Sequence, residues 1–526
     1  MKKTGNHKGK LIVAIIAALS LTLMLLPTTA FASDHTNEDY VQFIQADAGQ
    51  TVTQDIGDVT SEDKCGVWVD ANKDGTATVT AGNITTAGEA VKATSSDQAR
   101  TVVNAGNVEA TGEAEFGAVV SAWDPDSSST LNVGDVKADL GINVRSMGGV
   151  AYLDAGDVNA FGTENNNFTN NSINADDGGS AIAVLGDVQS GATGIDLDAS
   201  TWGSGEEISR ASVEASSIIA AGTGLRIGSS GQGLSLAGIN GDITAGGSGI
   251  YTQTRDAASI IDAQVNGGNV TAGGDALRII NMGGQTIITV NGSAESTGGN
   301  GLLYVGYGAS HKGQVLVTDT LSGATSGVQL SGGADKLDLT VWEIKAGTGN
   351  IISGDDADGT FAKSVHYIVR TEQPTEGVTV YATKADGSPL DKKYADEHGE
   401  GGYEVASEGD TILLKFDVQP GYSVNGAYNG TTPLQTDASG NYYIQVARGG
   451  GIYLSVDVAI DSDGGDYDGG GAIDGGGSGK PANKPANKPS NVPQTGDNNT
   501  SALWITLFAV SFLAALALVI RRFAKR

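Results

Sequence analysis

The chain has 526 residues, a formal net charge of −30 and 78 glycines, and charged residues make up only 17% of it. Such an acidic chain excludes strong electrostatic binding to nucleic acid, which needs clustered Lys and Arg to neutralise phosphates. Its single cysteine, Cys65, excludes an internal disulfide and a cysteine-rich metal site.

The first 32 residues are typical of a secretory signal peptide. Four lysines precede or flank the start of a charge-free apolar stretch over residues 11–26, and Ala30 and Ala32 form an A-x-A cleavage site. We therefore expect residues 1–32 to be removed on secretion and not to belong to the fold.

Residues 33–355 contain an internal repeat with a period of about 26 residues. The repeat unit carries Gly, then Asp or Asn, then Val or Ile, a pattern that suits a tight turn followed by a buried strand. Copies begin at Gly57, Gly82, Gly106, Gly134, Gly156, Gly186, Gly241 and Gly268.

A second signal follows most copies of the first. It is a small residue and then alternating apolar positions, as in Gly194-Ile195-Asp196-Leu197, and this period of two predicts a half-buried strand. The residues predicted to face outward are Asn143, Asp196, Arg226, Arg278 and Gln329.

Short strands, sharp turns and a fixed period predict stacked coils that share one continuous core. The fold class is therefore all-β, a right-handed parallel β-helix of about twelve coils followed by a small all-β domain. A β-propeller is excluded because one blade needs about 40–45 residues, which is longer than the period of about 26 residues. The region resembles, in pattern only, the pectate-lyase-like β-helices of bacterial adhesins and polysaccharide-degrading enzymes.

The Asp and Asn residues of the repeated turns are predicted to form one column along the rod. Each acidic side chain is expected either to bond the amides of its own turn or, in the alternative, to share a divalent cation such as Ca²⁺ with its neighbours. No cofactor is otherwise indicated. The column comprises Asp58, Asn83, Asn107, Asp135, Asp157, Asp187, Asp242 and Asn269.

The repeats contain no recognisable convergence of an acid, a base and a cation, so we assign no catalytic residue and no metal ligand. The best candidate for a hidden glycan or cation site is Asp196 and Asp198 with Arg226 one coil later, all at outward positions of one strand column. The alternative for these residues is a surface salt bridge on a solvated sheet face.

Residues 364–459 differ in composition and are richer in aromatic residues than the repeats. Strands are predicted over residues 365–369, 378–381, 411–418, 442–446 and 452–458. The sequence Glu408-Gly409-Asp410-Thr411, with Pro420-Gly421-Tyr422 downstream, resembles the internalin-type B repeats of bacterial surface proteins. That resemblance implies a stalk or ligand-adjacent module.

A linker over residues 460–491 is rich in Gly and Asp and then in Pro and Lys. After it come three parts in order: a pentapeptide, an apolar run and a basic tail. An apolar run over residues 502–520 is long enough to span a membrane, and a basic tail follows it. Before the run stand Val492, Pro493, Gln494, Thr495 and Gly496.

Together, residues 492–526 resemble the cell-wall sorting signal of Gram-positive surface proteins, with Val492 in place of the usual Leu. The resemblance implies that a sortase and peptidoglycan are partners, that the membrane is contacted only through the span before sorting, and that the mature protein is secreted and anchored to the wall. We expect an adhesin or stalk that binds a glycan or a protein. The alternative is a wall-anchored lyase or hydrolase of acidic polysaccharide.

Overall fold

The computed structural model describes the central part of the chain, where almost every ordered segment is a β-strand. Within that part, helix is confined to one short α-helix, Thr360–Ser364, and one 3₁₀ turn, Ala334–Lys336. The predicted signal peptide and sorting signal lie outside the described residues. The described residues are 40–163, 170–201, 207–307, 310–356, 359–374, 376–396 and 400–460.

The repeats fold into a parallel β-helix of about twelve turns, which confirms the predicted solenoid. Each coil contributes one strand to a thirteen-stranded parallel sheet, here called sheet 1. Its strands are Tyr40–Ala46, Cys65–Ala71, Val91–Ser95, Ala118–Ala122, Ile142–Met147, Asn171–Asp176, Ile195–Ser200, Leu225–Ser230, Ile250–Thr254, Leu277–Asn281, Leu302–Gly306, Val328–Ser331 and Ile352–Gly354.

The rest of each coil forms two further faces, which four long strands join into one sheet. The second face has Thr51–Ile56, Thr76–Ala81, Arg100–Asn104, Ser128–Asn132, Val150–Asp154, Leu234–Ile239, Ile260–Val265 and Gln285–Val290. The third has Val59–Ser61, Ile84–Thr86, Val108–Ala110, Val136–Ala138, Val158–Ala160, Ile243–Ala245, Val270–Ala272 and Ala294–Ser296. The four strands that cover both faces are Ser180–Ser190, Arg210–Ala220, Lys312–Gly323 and Leu337–Ala346.

The core consists of inward-facing side chains stacked from coil to coil in strict register. Leu197 pairs with Ile227, which pairs with Thr252 and then Ile279, and all four are fully buried. The predicted alternation holds, because the residues between them are not buried. Register matters here because a one-residue slip would turn every apolar side chain outward.

After the last strand of sheet 1 the chain forms a mostly antiparallel module over residues 359–460. All five predicted strands are present, and the structure adds short strands and the eight-residue strand Tyr422–Asn429, which were not predicted. Its strands are His366–Thr371, Val378–Lys384, Asp391–Lys393, Tyr403–Ala406, Thr411–Val418, Tyr422–Asn429, Thr432–Pro433, Gln435–Thr436, Tyr442–Gln445 and Ile452–Ile460.

The module packs directly on the last coil of the solenoid. Thr340 pairs in parallel register with His366, and the indole Nε1 of Trp342 donates a hydrogen bond to the carbonyl oxygen of Ile452 at 3.1 Å. Tyr367 is fully buried and its hydroxyl accepts the N–H of Gly449 at 3.0 Å. Strand pairing and a shared core therefore cover this end of the solenoid.

Candidate functional site

The Asp and Asn residues of the repeated turns form a hydrogen-bonded column, here called the Asx ladder. From Asp58 to Asp157, the Oδ1 atom of each member accepts the backbone N–H of the next member at 2.8–3.1 Å. Asp242 and Asn269 continue the pattern. The column prediction is confirmed, but the expectation that each Asp bonds its own turn amides is wrong, because the bonds run between coils.

From Asn83 to Asp187, the glycine before each ladder residue leaves the space that this bond occupies. A Cβ atom at Gly106, Gly134 or Gly156 would lie 2.5 Å or less from the Oδ1 atom of the ladder residue one coil earlier. Gly57, which has no earlier ladder residue, would meet nothing within 4 Å. The Gly-Asx pair thus serves the stacking of coils as well as the shape of the turn.

A second column of polar side chains runs along the outer surface of sheet 1. Asp196 lies opposite Arg226, which lies opposite Tyr251 and then Arg278 in successive strands. A parallel column two residues along holds Asn174, Asp198, Gly228 and Gln253. Apart from Arg278, the residues of the two columns line a cavity of about 250 Å³ together with Arg255, and this cavity is here called the sheet 1 pocket.

Asp198 occupies this pocket because the next strand leaves space for it. Gly228 is its partner in register, and a Cβ atom there would collide with Asp198 Oδ1. The structure shows no hydrogen bond or ion pair to the Asp198 carboxyl from the described residues. Burial, followed by the charges of Asp196 and Asp176, raises the pKa of Asp198 to about 6, against the opposing effect of Arg255 and Arg226.

The predicted partners of Asp198 lie within ion-pair reach of each other. Arg226 Nη1 is 3.8 Å from Asp196 Oδ2, with the arginine side chain half-exposed and the aspartate mostly covered. Such an exposed pair contributes only about 0–1 kcal/mol to stability. The pair therefore adds little to the stability of the fold, and N–H donors of the Arg226 guanidinium remain available to a ligand.

Aromatic rings and arginines alternate on the same face. The guanidinium of Arg278 lies 5.6 Å from the ring centroid of Tyr251, and that of Arg145 lies 5.2 Å from the ring centroid of Trp123. Arg145 also approaches Asp176 at 3.9 Å. This face combines flat apolar surfaces with charged groups, which is the composition of a site for a polar ring-shaped ligand.

The sequence prediction for this region holds in part. Asp196 and Arg226 share one outward column, whereas Asp198 lies in the neighbouring column, opposite Gly228. Tyr251 and Arg255 were missed. The signal for Tyr251 was present, because Gly249-Ile250-Tyr251-Thr252 repeats the small-apolar-x pattern, but Thr252 replaces the usual aliphatic residue and hides it.

The described residues contain neither a membrane-spanning helix nor a cluster of metal ligands. In residues 40–460, apart from the undescribed gaps, no helix is long and apolar enough to cross a membrane. In the same residues no group of three or more His, Cys, Asp or Glu side chains is arranged to hold a metal ion. The predicted span at residues 502–520 and the pentapeptide Val492–Gly496 lie outside them.

Comparison with known proteins gave no relative for this chain. No protein-family profile matches it. No curated protein and no solved structure matches it either.

Proposed function

We propose that this protein is a cell-surface protein, anchored to peptidoglycan by its C-terminus, that presents the β-helix as a binding rod. The anchoring part is supported by the order of pentapeptide, apolar run and basic tail over residues 492–526. The signal peptide pattern with Ala30 and Ala32 supports secretion. We also infer that the solenoid winds to the right, since about 98% of parallel strand crossovers do.

Anchoring would proceed through a sortase thiolate. It attacks the carbonyl carbon of Thr495, the Thr495–Gly496 amide breaks, and Gly496 leaves with the downstream span. A peptidoglycan amine then attacks the thioester and releases the thiol. Pro493 favours the extended backbone that a peptide groove accepts.

Mass spectrometry of protein released from the wall by muramidase tests this step. The expected C-terminal peptide ends at Thr495 and carries a peptidoglycan fragment. A Thr495→Ala variant, which removes the expected acyl donor residue, should stay in the membrane fraction with Arg526 intact. Wild-type wall protein that still ends at Arg526 would contradict the proposal.

The binding part of the proposal is carried by the sheet 1 pocket. Asp196, Asp198, Arg226 and Gln253 bring donors and acceptors to one small cavity beside the ring of Tyr251. Vicinal sugar hydroxyls need acceptors and donors side by side, and a sugar ring packs on an aromatic face. We therefore propose that the pocket binds one unit of a glycan.

A glycan array probed with the purified full chain in mild detergent tests the binding. The wild-type protein should bind at least one glycan, and Arg226→Ala should weaken that binding at least tenfold. Arg100→Ala is the matched control, because Arg100 is an exposed arginine on the second face. Equal loss in both variants would show that net charge, and not the pocket, governs binding.

One observation favours the second candidate function, a lyase or hydrolase of acidic polysaccharide. Asp198, with its pKa raised to about 6, stands next to Asp196 and Arg226 and could hold or release a proton near neutral pH. Incubation with pectate, alginate, hyaluronan and chondroitin sulfate would detect new reducing ends or unsaturated uronates. Turnover that Asp198→Asn abolishes would favour the enzyme over the binding rod.

A further inference from the structure

The surface of sheet 1 is less acidic than the chain as a whole. The protein carries a formal net charge of −30. Yet four arginines, Arg145, Arg226, Arg255 and Arg278, lie on sheet 1 or directly after one of its strands. Two of them line the sheet 1 pocket. The same sheet also carries Asp176, Asp196 and Asp198, so its surface is close to neutral, and its guanidinium groups attract anions locally.

The size and lining of the pocket restrict its ligand. The cavity of about 250 Å³ is smaller than the ~300–1,000 Å³ of sites for drug-sized molecules, so it holds a single small ring. Arg226 and Arg255 offer guanidinium forks, which bind carboxylates through paired N–H donors. Tyr251 supplies the flat surface for the ring.

The acidic side chains of the pocket decide when an anion can enter. Asp198 faces two carboxylates, Asp196 on its own strand and Asp176 on the preceding strand of sheet 1. It also faces two guanidinium groups, Arg226 on the following strand and Arg255 just after the strand Ile250–Thr254. With Asp198 ionised, its carboxylate competes with a bound anion for the guanidinium groups. With Asp198 protonated, the competition ends and its O–H becomes a donor to the ligand.

We propose that the sheet 1 pocket binds a sugar unit that carries a carboxylate, and that protonation of Asp198 opens the site to it. This inference rests on the proposed glycan-binding function and adds to it the charge class of the ligand and its control by pH. Uronic acids and sialic acids share this chemistry, and separate arms of the test distinguish them.

The direction of the pH dependence follows from linkage. Burial and the neighbouring carboxylates already raise the pKa of Asp198 to about 6. A bound anion raises it further, so the complex holds more protons than the unbound protein near and above that pH. Affinity therefore increases as pH falls, by up to about tenfold per pH unit, until Asp198 is protonated in the unbound protein as well.

Isothermal titration of the full chain in mild detergent, at about pH 5 and about pH 8, tests the inference. The ligands are a galacturonate oligomer, sialyllactose and, as the neutral comparison, lactose. At least one acidic sugar should bind at least tenfold more tightly at the lower pH. Asp198→Asn, which keeps the shape and removes the charge, should bind that sugar at about pH 8 as tightly as wild type does at about pH 5.

Asp262→Asn is the matched control, because Asp262 is another covered carboxyl with a pKa raised by burial but lies on the second face. It should keep the wild-type pH dependence. Binding of lactose as tight as that of the acidic sugars would overturn the inference and leave the proposed glycan binding intact. A pH-independent affinity in wild type would overturn the role of Asp198. No binding of any glycan at either pH, in this test or on the array, would overturn the proposed function itself.

Discussion

The Asx ladder and the sheet 1 pocket both contain Asp and Asn side chains one coil apart, yet the surroundings of those side chains differ. In the ladder, Asp157 is exposed and its Oδ1 accepts the N–H of Asp187 at 2.9 Å. In the pocket, Asp198 is half-buried and accepts no hydrogen bond from the described residues. An Asp side chain stabilises the stack of coils where it accepts a backbone N–H. Where it is covered and accepts no hydrogen bond, its pKa rises toward neutral pH.

The largest expected effect on stability comes from replacing a glycine of the Asx ladder. Gly134→Ala should lower the free energy of unfolding by about 2–4 kcal/mol, because the new methyl group displaces Asn107 Oδ1 and breaks its bond to the next coil. Gly57→Ala is the control and should change it little, since a methyl group there meets nothing within 4 Å. Urea unfolding of both variants gives the comparison. Equal effects would show that these glycines serve only the turn.

The next largest effect concerns how the Asp198 carboxyl makes the free energy of unfolding depend on pH. The folded pKa of Asp198, about 6, lies above the ~3.9 of an unfolded chain, so the folded state binds more protons between these values. The free energy of unfolding therefore falls as pH rises from about 4 to about 6. Asp198→Asn should be more stable than wild type above about pH 6 by about 1–3 kcal/mol, and equal to it below about pH 4.

The ladder supplies the control for that experiment. Asp157→Asn keeps the Oδ1 acceptor for Asp187 and should change the free energy of unfolding by less than about 0.5 kcal/mol at either pH. Denaturant titrations at the two pH values measure both variants. A gain in Asp157→Asn as large as that in Asp198→Asn would mean that general acidity of the rod, and not the pocket, causes the gain.

A smaller effect is expected from deleting one ladder acceptor. Asn107→Ala leaves the N–H of Asp135 without its partner and should cost about 0.5–1.5 kcal/mol. Asn107→Asp keeps an oxygen in the same place and should recover most of the loss. Thermal melts of the three proteins measure this. No difference between the Ala and Asp variants would mean that solvent replaces the inter-coil bond without cost.

The smallest expected effect concerns calcium. Each ladder Oδ1 atom from Asp58 to Asp157 already accepts a backbone N–H, so Ca²⁺ would have to compete with a formed hydrogen bond. We expect the unfolding midpoint to stay the same in EDTA and in millimolar calcium. A clear rise with calcium would instead support the alternative in which the cation bridges adjacent coils.

How much the sequence could predict depends on whether a contact repeats. The solenoid, its alternation and the ladder column were predictable because Gly-Asx-Val recurs and each copy meets its equivalent one coil away. The ladder bond itself was not, because sequence does not tell whether Asp135 bonds its own turn or the amide of Asp157. Arg255 was missed because it lies just past a strand, where the repeat pattern does not apply. The short strand Asp391–Lys393 was missed because it is charged and mostly exposed, so it has no apolar alternation.

An NMR titration of the Asp198 side-chain carboxyl carbon, in protein labelled with ¹³C aspartate, tests the central distinction most directly. The signal is assigned as the resonance that disappears in Asp198→Asn. We predict that it titrates with a midpoint near pH 6, as expected for a carboxyl that is covered and faces two others. A midpoint near the ordinary value of about 4 would show that the pocket treats Asp198 as an ordinary surface side chain, and would contradict the account.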